Sequence, residues 1–183
     1  MIIRRKNKQG DAHPAPIEIS EAAAGSGGTP INTVPFHEIE RVVEGRHHNP
    51  HSILGAHFHN GHIVFRVIKP FATSVVIVGV DFRLPLTHEH RGVWVGALEA
   101  DVIPDYRVES RYGDDVFTND DPYRFLPTIG ELDMHLLAEG RHEQITDALG
   151  ARVLRYPSIL GDVEGTAFTV WAPNAQGIQV IGD

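Results

Sequence analysis

The sequence predicts an all-β protein: a two-sheet β-sandwich with short flanking helices, followed by the start of a second sandwich. Two observations predict this class. Between residues 62 and 119, short apolar runs with period-2 alternation recur between turn signals. In addition, the stretch 64–80 recurs 103 residues later, at 167–183, with five identities in 17 positions. Two related β modules in tandem explain such a repeat.

The repeat follows the pattern F-x-V-x-x-P-x-A-x-x-[VI]-x-[VI]-x-G. Phe65 and Val67 lie two residues apart, as do Val75 and Ile77, so each pair points to one face of a strand. Pro70 cannot donate to a β ladder and belongs to the connection between the strands. The pattern predicts a half-buried hairpin in the first copy. The second copy lacks further strands on which to pack, so we expect it to be disordered, docked on the first module or paired with a neighbouring molecule.

Composition and charge disfavour several classes of partner. The net charge is −8 with only 16 Lys and Arg, which argues against nucleic acid. No segment approaches the roughly 20 apolar residues of a membrane helix, and no signal peptide is visible, so a membrane is not expected either. The chain has no cysteine, which excludes disulfides and thiolate metal sites and fits a reducing compartment. We therefore expect a cytoplasmic protein.

The region before the first strand divides into a tail and a helix. Residues 1–32 are rich in Ala, Gly, Ser and Pro and predict a disordered tail. Helical spacing of apolar residues over 34–44 predicts an amphipathic helix with Thr33 as N-cap, Pro35 in its first turn and Gly45 at its C-terminal stop. With the strands that follow, this helix makes up a domain at 33–119.

Six histidines lie within 18 residues after this helix, at positions 47, 48, 51, 57, 59 and 62. A metal site and a pH-sensitive cluster are the two functional interpretations of such a segment. The nearest acidic residue is Glu44, and the spacing lacks the defined pairing of a structural zinc site. We favour a loop that leads into the first strand, and we expect neither a metal nor a cofactor.

The strands are predicted at 63–69, 74–80, 93–98, 106–112 and 115–118. Five or more short strands at this spacing indicate an immunoglobulin-like sandwich. Its predicted core consists of Phe65, Val67, Val75, Ile77, Trp94 or its neighbours Val93 and Val95, Leu98, Tyr106 and Val108.

The segment from 120 to 165 predicts a helical linker. Two short helices are expected near 131–138 and 142–149, with Gly140 and Gly150 at their C-terminal stops. Residues 151–165 are interpreted as a connection that returns to the β pattern, and 166–183 as the first strands of a truncated second sandwich.

No catalytic site is expected in this chain. Asp114-Asp115 and Asp120-Asp121 are neighbours in sequence, and adjacent residues of an extended chain point to opposite faces. Neither pair therefore converges as a catalytic carboxylate dyad requires. For binding, an aromatic ring lies flat against a sugar face or fills the core. Trp94, Tyr106 and Tyr112 are the candidate residues for binding a sugar, whereas we expect Trp171, which aligns with Ile68, in a core.

Three segments carry a resemblance to a known family: HHNPHSILGAH at 47–57, DDPYRFLPTIGELDMHLLAEGRHEQITDALGAR at 120–152 and GTAFTVWAPNAQGIQVIGD at 165–183. Together they resemble the amino-terminal region of bacterial glycogen branching enzymes, which are 1,4-α-glucan branching enzymes of the α-amylase superfamily. The segment from residue 120 is the most specific, because many relatives in the superfamily share the F-x-V-W-A-P-N-A run.

The resemblance implies two tandem sandwiches, the second of a carbohydrate-binding type, before a catalytic (β/α)8 barrel that cleaves α-1,4-glucan and forms α-1,6 branches. No barrel motif lies in this sequence, so no catalytic role is assigned to any residue. The implied partners are α-1,4-glucan or glycogen and the barrel of the same polypeptide. Three alternatives stay open: a stand-alone glycogen-binding or regulatory module, a debranching or trehalose-forming relative, which the repeat disfavours, and a purely structural domain.

Overall fold

The computed structural model describes residues 2–4, 34–175 and 177–181. They form two compact units: a sandwich unit from the described residues of 6–126 and 158–161, and a three-stranded unit from those of 1–5, 127–157 and 162–183. The helices are α1 (Phe36–Val43), α2 (Glu131–Ala138) and α3 (Ile145–Ala148). The strands are β1 (Ile2–Arg4), β2 (Gly55–His59), β3 (His62–Ile68), β4 (Ser74–Val78), β5 (Arg83–Pro85), β6 (Thr87–His90), β7 (Val93–Glu99), β8 (Arg107–Tyr112), β9 (Asp115–Asn119), β10 (Gly150–Tyr156) and β11 (Val163–Thr169).

The sandwich unit consists of two four-stranded antiparallel sheets. The first has the strand order β2-β3-β7-β6 and the second β5-β4-β8-β9. Apolar side chains of both sheets meet in one core, and every residue predicted for it is buried or half-buried there. Its buried members are Ile63, Phe65, Val67, Val75, Ile77, Leu86, Trp94, Tyr106 and Val108. The prediction of an all-β sandwich with short helices is therefore confirmed.

The predicted hairpin between β3 and β4 does not form. β3 pairs with β2 and β7 in the first sheet, whereas β4 pairs with β5 and β8 in the second. The turn between them, residues 69–73, instead crosses from one sheet to the other, and we call it the corner turn. Phe65 and Val75 consequently contribute to the same core from different sheets. Alternation specifies which face of a strand is apolar, but not which strand lies next to it.

The first strand of the repeat is also not half-buried, because a second layer covers its outer face. Val64 and Arg66 point away from the main core, yet they are only 4% and 2% exposed. α1 and the short 3-10 turn at Pro50–Ser52 bring Val42, Ile53 and Leu54 into a second cluster that includes Ile68. The sheet is thus packed on both faces, as the buried pattern of β3 records.

The helix predicted at 34–44 is confirmed as α1, and its C-terminal end lies just before Gly45, as predicted. Gly45 adopts a φ of +68°, and the N–H groups of Gly45 and Arg46 donate to the carbonyls of Val42 and Arg41. This is the Schellman arrangement. At the other end Pro35 is the N-cap residue and provides no side-chain cap. The predicted N-cap, Thr33, lies outside the described residues.

In the three-stranded unit, the structure differs from three of the predictions made from the sequence. Residues 150–156, interpreted as part of a linker, form β10, which pairs with β11 over its whole length. Its apolar Val153 is 81% exposed, so the strand lacks the buried face that sequence patterns report. Residues 2–4 fall within the predicted disordered tail, but they form β1, which pairs with the free edge of β11. The second predicted helix shortens to Ile145–Ala148.

Only one strand of the second repeat copy is formed. β11 contains Phe168 and pairs within the chain, but the described residues from 170 to 181 contain no strand. Trp171 is 41% exposed and does not occupy a core position as expected. The small strands β2, β5 and β6 were not predicted, because they are only three to five residues long and show no apolar alternation of the kind that marks the longer strands. No described helix is long and apolar enough to cross a bilayer.

Candidate functional site

Trp94 lies in the core and forms a hydrogen bond to the corner turn. Its ring is 8% exposed, and its indole N–H donates to the carbonyl oxygen of Lys69 over 3.3 Å. His88 packs edge-on against the ring, with ring centroids 5.1 Å apart. With one polar group bonded and its faces covered, this side chain stabilises the fold and has no free face for a sugar.

Tyr106 is also buried and belongs to a polar pair with Asp121. It is 1% exposed, and its hydroxyl donates to Oδ2 of Asp121 over 2.7 Å. Asp121 is 2% exposed, and its Oδ1 accepts the backbone N–H of Tyr123 over 3.0 Å, which caps the 3-10 turn at 122–124. Burial raises the pKa of the Asp121 carboxyl, and burial beside that carboxyl raises the pKa of the Tyr106 hydroxyl. The hydrogen bond between them links the residue before β8 to the segment after β9.

Tyr112 differs from the other two aromatic candidates because it is half-buried at the end of β8. Its ring lies 6.1 Å from that of Phe117 on β9, at an interplanar angle of 61°. Phe117 is 51% exposed. β9 is the outer strand of its sheet and is exposed along its length, so this aromatic pair borders open solvent.

The pair lies at one end of the sandwich, where three connections meet. The corner turn bonds to the turn at 91–92 through the Lys69 N–H and the Gly92 carbonyl, 2.7 Å apart. It bonds to the end of β8 through the Thr73 N–H and the Arg111 carbonyl, 2.8 Å apart. The third connection is the β8–β9 turn at 113–114, which directly follows Tyr112. We call this end the turn face.

Two exposed aromatic residues of the turn face were not singled out from the sequence. Phe117 sits in a short strand between Val116 and Thr118, where no pattern separates it from a core residue. Phe71 is 94% exposed in the corner turn. A signal for it exists: it follows Pro70, at a turn position that Gly or Asn usually occupies.

The histidines of the segment 47–62 bond to separate partners. His47 is 5% exposed and its Nε2 lies 3.0 Å from Oε2 of Glu38 on α1. His51 donates to the carbonyl of Phe125, and His57 to that of Leu54, both over 3.1 Å. The described residues contain no group of three or more side chains arranged to hold a metal ion. These bonds fasten the segment to the sandwich, and its second half forms part of β2 rather than a loop.

The adjacent carboxylates diverge, as the strand geometry predicted. Oδ1 of Asp120 lies 3.2 Å from Nε of Arg107, whereas Asp121 bonds to Tyr106 and Tyr123. Asp114 and Asp115 occupy an exposed turn and strand start. A retaining transglycosylase needs two carboxylates about 5–5.5 Å apart that flank the substrate. The side chains of these two pairs do not form such a site.

Fold and turn face together define a small β-sandwich module with exposed aromatic rings at one end. Comparison with known proteins shows what this module is similar to. Residues 35–123 match the family model described as alpha-1,4-glucan branching enzyme GlgB, N-terminal domain. This part of the chain, just under half of its length, is therefore similar to the amino-terminal domains of branching enzymes.

Curated relatives extend this likeness beyond the matched domain. The chain is 51% identical over 158 residues to the 1,4-alpha-glucan branching enzyme GlgB of Thermobifida fusca (strain YX), an alignment that covers 85% of this chain and 21% of the relative. It is 44% identical over 162 residues to GlgB of Kitasatospora aureofaciens, covering 88% and 21%. The chain thus spans about a fifth of the length of these relatives.

Solved structures overlap with a smaller part of the chain. A pullulanase from Anoxybacillus sp. LM18-11 complexed with maltotetraose is 22% identical, with a TM-score of 0.33, covering 36% of this chain and 11% of that one.

Proposed function

We propose that this chain is the amino-terminal, non-catalytic part of a cytoplasmic glycogen branching enzyme, and that its sandwich unit contacts the glucan. In the whole enzyme, a barrel on the same polypeptide would cleave α-1,4-glucan chains and transfer them to 6-hydroxyl groups. The sandwich unit would position a glucan chain and so influence the length of the transferred branch. The observation that carries this proposal is the 51% identity over 158 residues to a branching enzyme.

The turn face supports a direct contact with glucan at Tyr112 and Phe117. Among the three aromatic residues singled out from the sequence, only Tyr112 retains accessible ring surface, because Trp94 and Tyr106 are buried. Its neighbour Phe117 adds a second half-exposed ring at 6.1 Å. A pyranose has an apolar face that packs on an aromatic ring and hydroxyl groups that remain in water. Two tilted rings on an open edge suit a flexible linear chain better than an enclosed monosaccharide.

The 183-residue chain alone is expected to form no α-1,6 linkages from amylose. A retaining transglycosylation needs a nucleophile and an acid/base that converge on one bond, and the adjacent carboxylates described above bond to other side chains or lie in a turn. The measurement is the α-1,6 anomeric proton signal after prolonged incubation, with the Thermobifida fusca enzyme as positive control. A growing signal with this chain would contradict the proposal.

Phe117→Ala is expected to weaken glycogen binding of the chain by roughly tenfold, or ~1.4 kcal/mol, because it removes a half-exposed stacking surface. Retardation in native gels that contain glycogen measures the affinity. Val116→Ala is the matched control: Val116 is 44% exposed on the same strand but points to the opposite face.

The same pair of variants in the full branching enzyme tests the role in branch length. We expect Phe117→Ala to shift the length distribution of debranched product chains, while Val116→Ala leaves it unchanged. If both variants retain native glycogen affinity and an unaltered chain-length profile, the sandwich unit has only a structural role.

A further inference from the structure

The most exposed aromatic side chain of the sandwich unit sits on a strained backbone. In the corner turn, the Ala72 N–H donates to the Lys69 carbonyl over 3.4 Å, and Pro70 and Phe71 occupy the two central positions. Phe71 has a φ of +64° and is 94% exposed. A bulky residue at positive φ is a genuine outlier, and the strain persists only where the surroundings impose it. Packing does not explain this side chain, because almost none of its surface is covered.

The second copy of the repeat forms the corresponding turn without strain. There the Ala175 N–H donates to the Ala172 carbonyl over 3.1 Å, with Pro173 and Asn174 at the central positions. Asn174 is not in the left-handed region, although asparagine tolerates that region well. The chain therefore places asparagine where a positive φ is not needed and phenylalanine where it is. A structural role for the corner turn alone would favour the opposite arrangement.

Neighbouring segments hold the corner turn rigidly in its strained form. The Lys69 N–H and carbonyl are bonded to Gly92 and to the Trp94 indole, and Thr73 is bonded to Arg111. Gly92 itself has a φ of +87°, and a Cβ added there would approach Cα of Pro70 to 2.7 Å. Hydrogen bonds thus tie the turn to both sheets and hold the backbone of Phe71 in place, while its ring stays in solvent. A backbone that is ordered in advance loses less entropy when a ligand binds beside it.

We propose that Phe71 is a stacking site for an α-glucan chain, additional to the Tyr112–Phe117 pair on the same turn face. This inference rests on the function proposed above and names a further contact for it. The exposed side chain of Arg111, next to the turn, offers donors to sugar hydroxyls, and the Thr73 hydroxyl, which donates to the Arg111 carbonyl over 3.2 Å, can still accept. A protein partner would require a contiguous apolar patch. A single exposed ring on a turn next to an exposed arginine instead matches the apolar face and hydroxyl rim of a pyranose.

Maltoheptaose binding to the 183-residue chain, measured by isothermal titration calorimetry, tests the proposal. Phe71→Ala is expected to weaken binding about tenfold, equivalent to ~1.4 kcal/mol, whereas Phe71→Trp retains it. Phe58→Ala is the matched control. Phe58 is likewise an exposed phenylalanine, at 57%, but it lies on β2 next to the hairpin turn at 60–61 and not on the turn face. Phe71→Asn separates function from strain: it is expected to weaken binding and to raise Tm by about 2–4 °C, because asparagine accepts positive φ.

The outcomes distinguish this inference from the function on which it rests. If Phe71→Ala binds as tightly as wild type while Phe117→Ala binds more weakly, the Phe71 site is overturned and the proposed function stays intact. Wild-type chain that binds neither maltoheptaose nor glycogen would overturn both. Equal losses in Phe71→Ala and Phe58→Ala would also overturn the site, since the effect would then not depend on the turn face.

Discussion

Replacing Glu89 with alanine is expected to destabilise the sandwich unit by about 3–5 kcal/mol, because it removes the carboxylate that pairs with a buried arginine. Nε and Nη2 of Arg66 donate to the two carboxylate oxygens of Glu89 over 2.7 and 3.1 Å. The side chain of Arg66 is 2% exposed and that of Glu89 18%, so water screens this pair little. Urea denaturation followed by circular dichroism measures the loss.

The double variant Arg66→Met/Glu89→Leu provides the control for this experiment. Apolar residues of similar volume remove both charges at once, so most of the lost stability should return. Surface ion pairs behave differently and contribute about 0–1 kcal/mol. A loss below about 1 kcal/mol for Glu89→Ala would therefore mean that the pair is solvated in solution, in contradiction to the packing of α1 over this sheet.

Asp121→Ala is expected to cost about 2–4 kcal/mol, since the Tyr106 hydroxyl and the Tyr123 N–H both lose a buried acceptor. Asp121→Asn is the milder control, because its amide oxygen still accepts the Tyr123 N–H. Chemical denaturation of both variants at one pH gives the comparison. Equal losses for the two would indicate that the carboxylate charge, rather than its two hydrogen bonds, determines the stability.

The pH dependence of stability gives a second measurement on Asp121. Burial raises the pKa of its carboxyl in the folded protein above the ordinary value of 3.8. As pH rises above that ordinary value, the unfolded chain releases the proton first, and the native state binds more protons. Stability therefore falls with rising pH until the raised pKa has been passed. Asp121→Asn should lack this component, and parallel pH profiles for wild type and variant would contradict the assignment.

The fold class and most of its elements could be predicted from local sequence. The period-2 spacing of Phe65 and Val67 specified a strand, and Gly45 and Gly140, both at positive φ, end helices where the sequence indicated. The divergence of Asp120 and Asp121 followed from extended backbone geometry alone. Each of these features depends on neighbours within a few residues, which a sequence pattern contains.

The glucan-contact residues could not be predicted in the same way. Trp94, Tyr106 and Tyr112 are all aromatic residues in or beside strands, and their sequences do not distinguish a ring in the core from one at the rim. Exposure is determined by which strand lies at the edge of a sheet, and β9 is an edge strand only because of the sheet order. Phe117 acquires its accessible ring from that arrangement, whereas Phe71 is exposed because the chain crosses between the sheets at the corner turn.

Local sequence patterns predicted the all-β class, the glycines that end two helices, the repeat and the resemblance to a branching-enzyme amino terminus. Only the tertiary structure decided that the repeated strands separate into two sheets, with a strained Phe71 in the turn that joins them. The physical reason is that alternation records the polarity of each strand face, whereas the pairing partner is chosen by contacts between distant residues. The same contacts bury Trp94 and leave the ring of Phe71 in solvent.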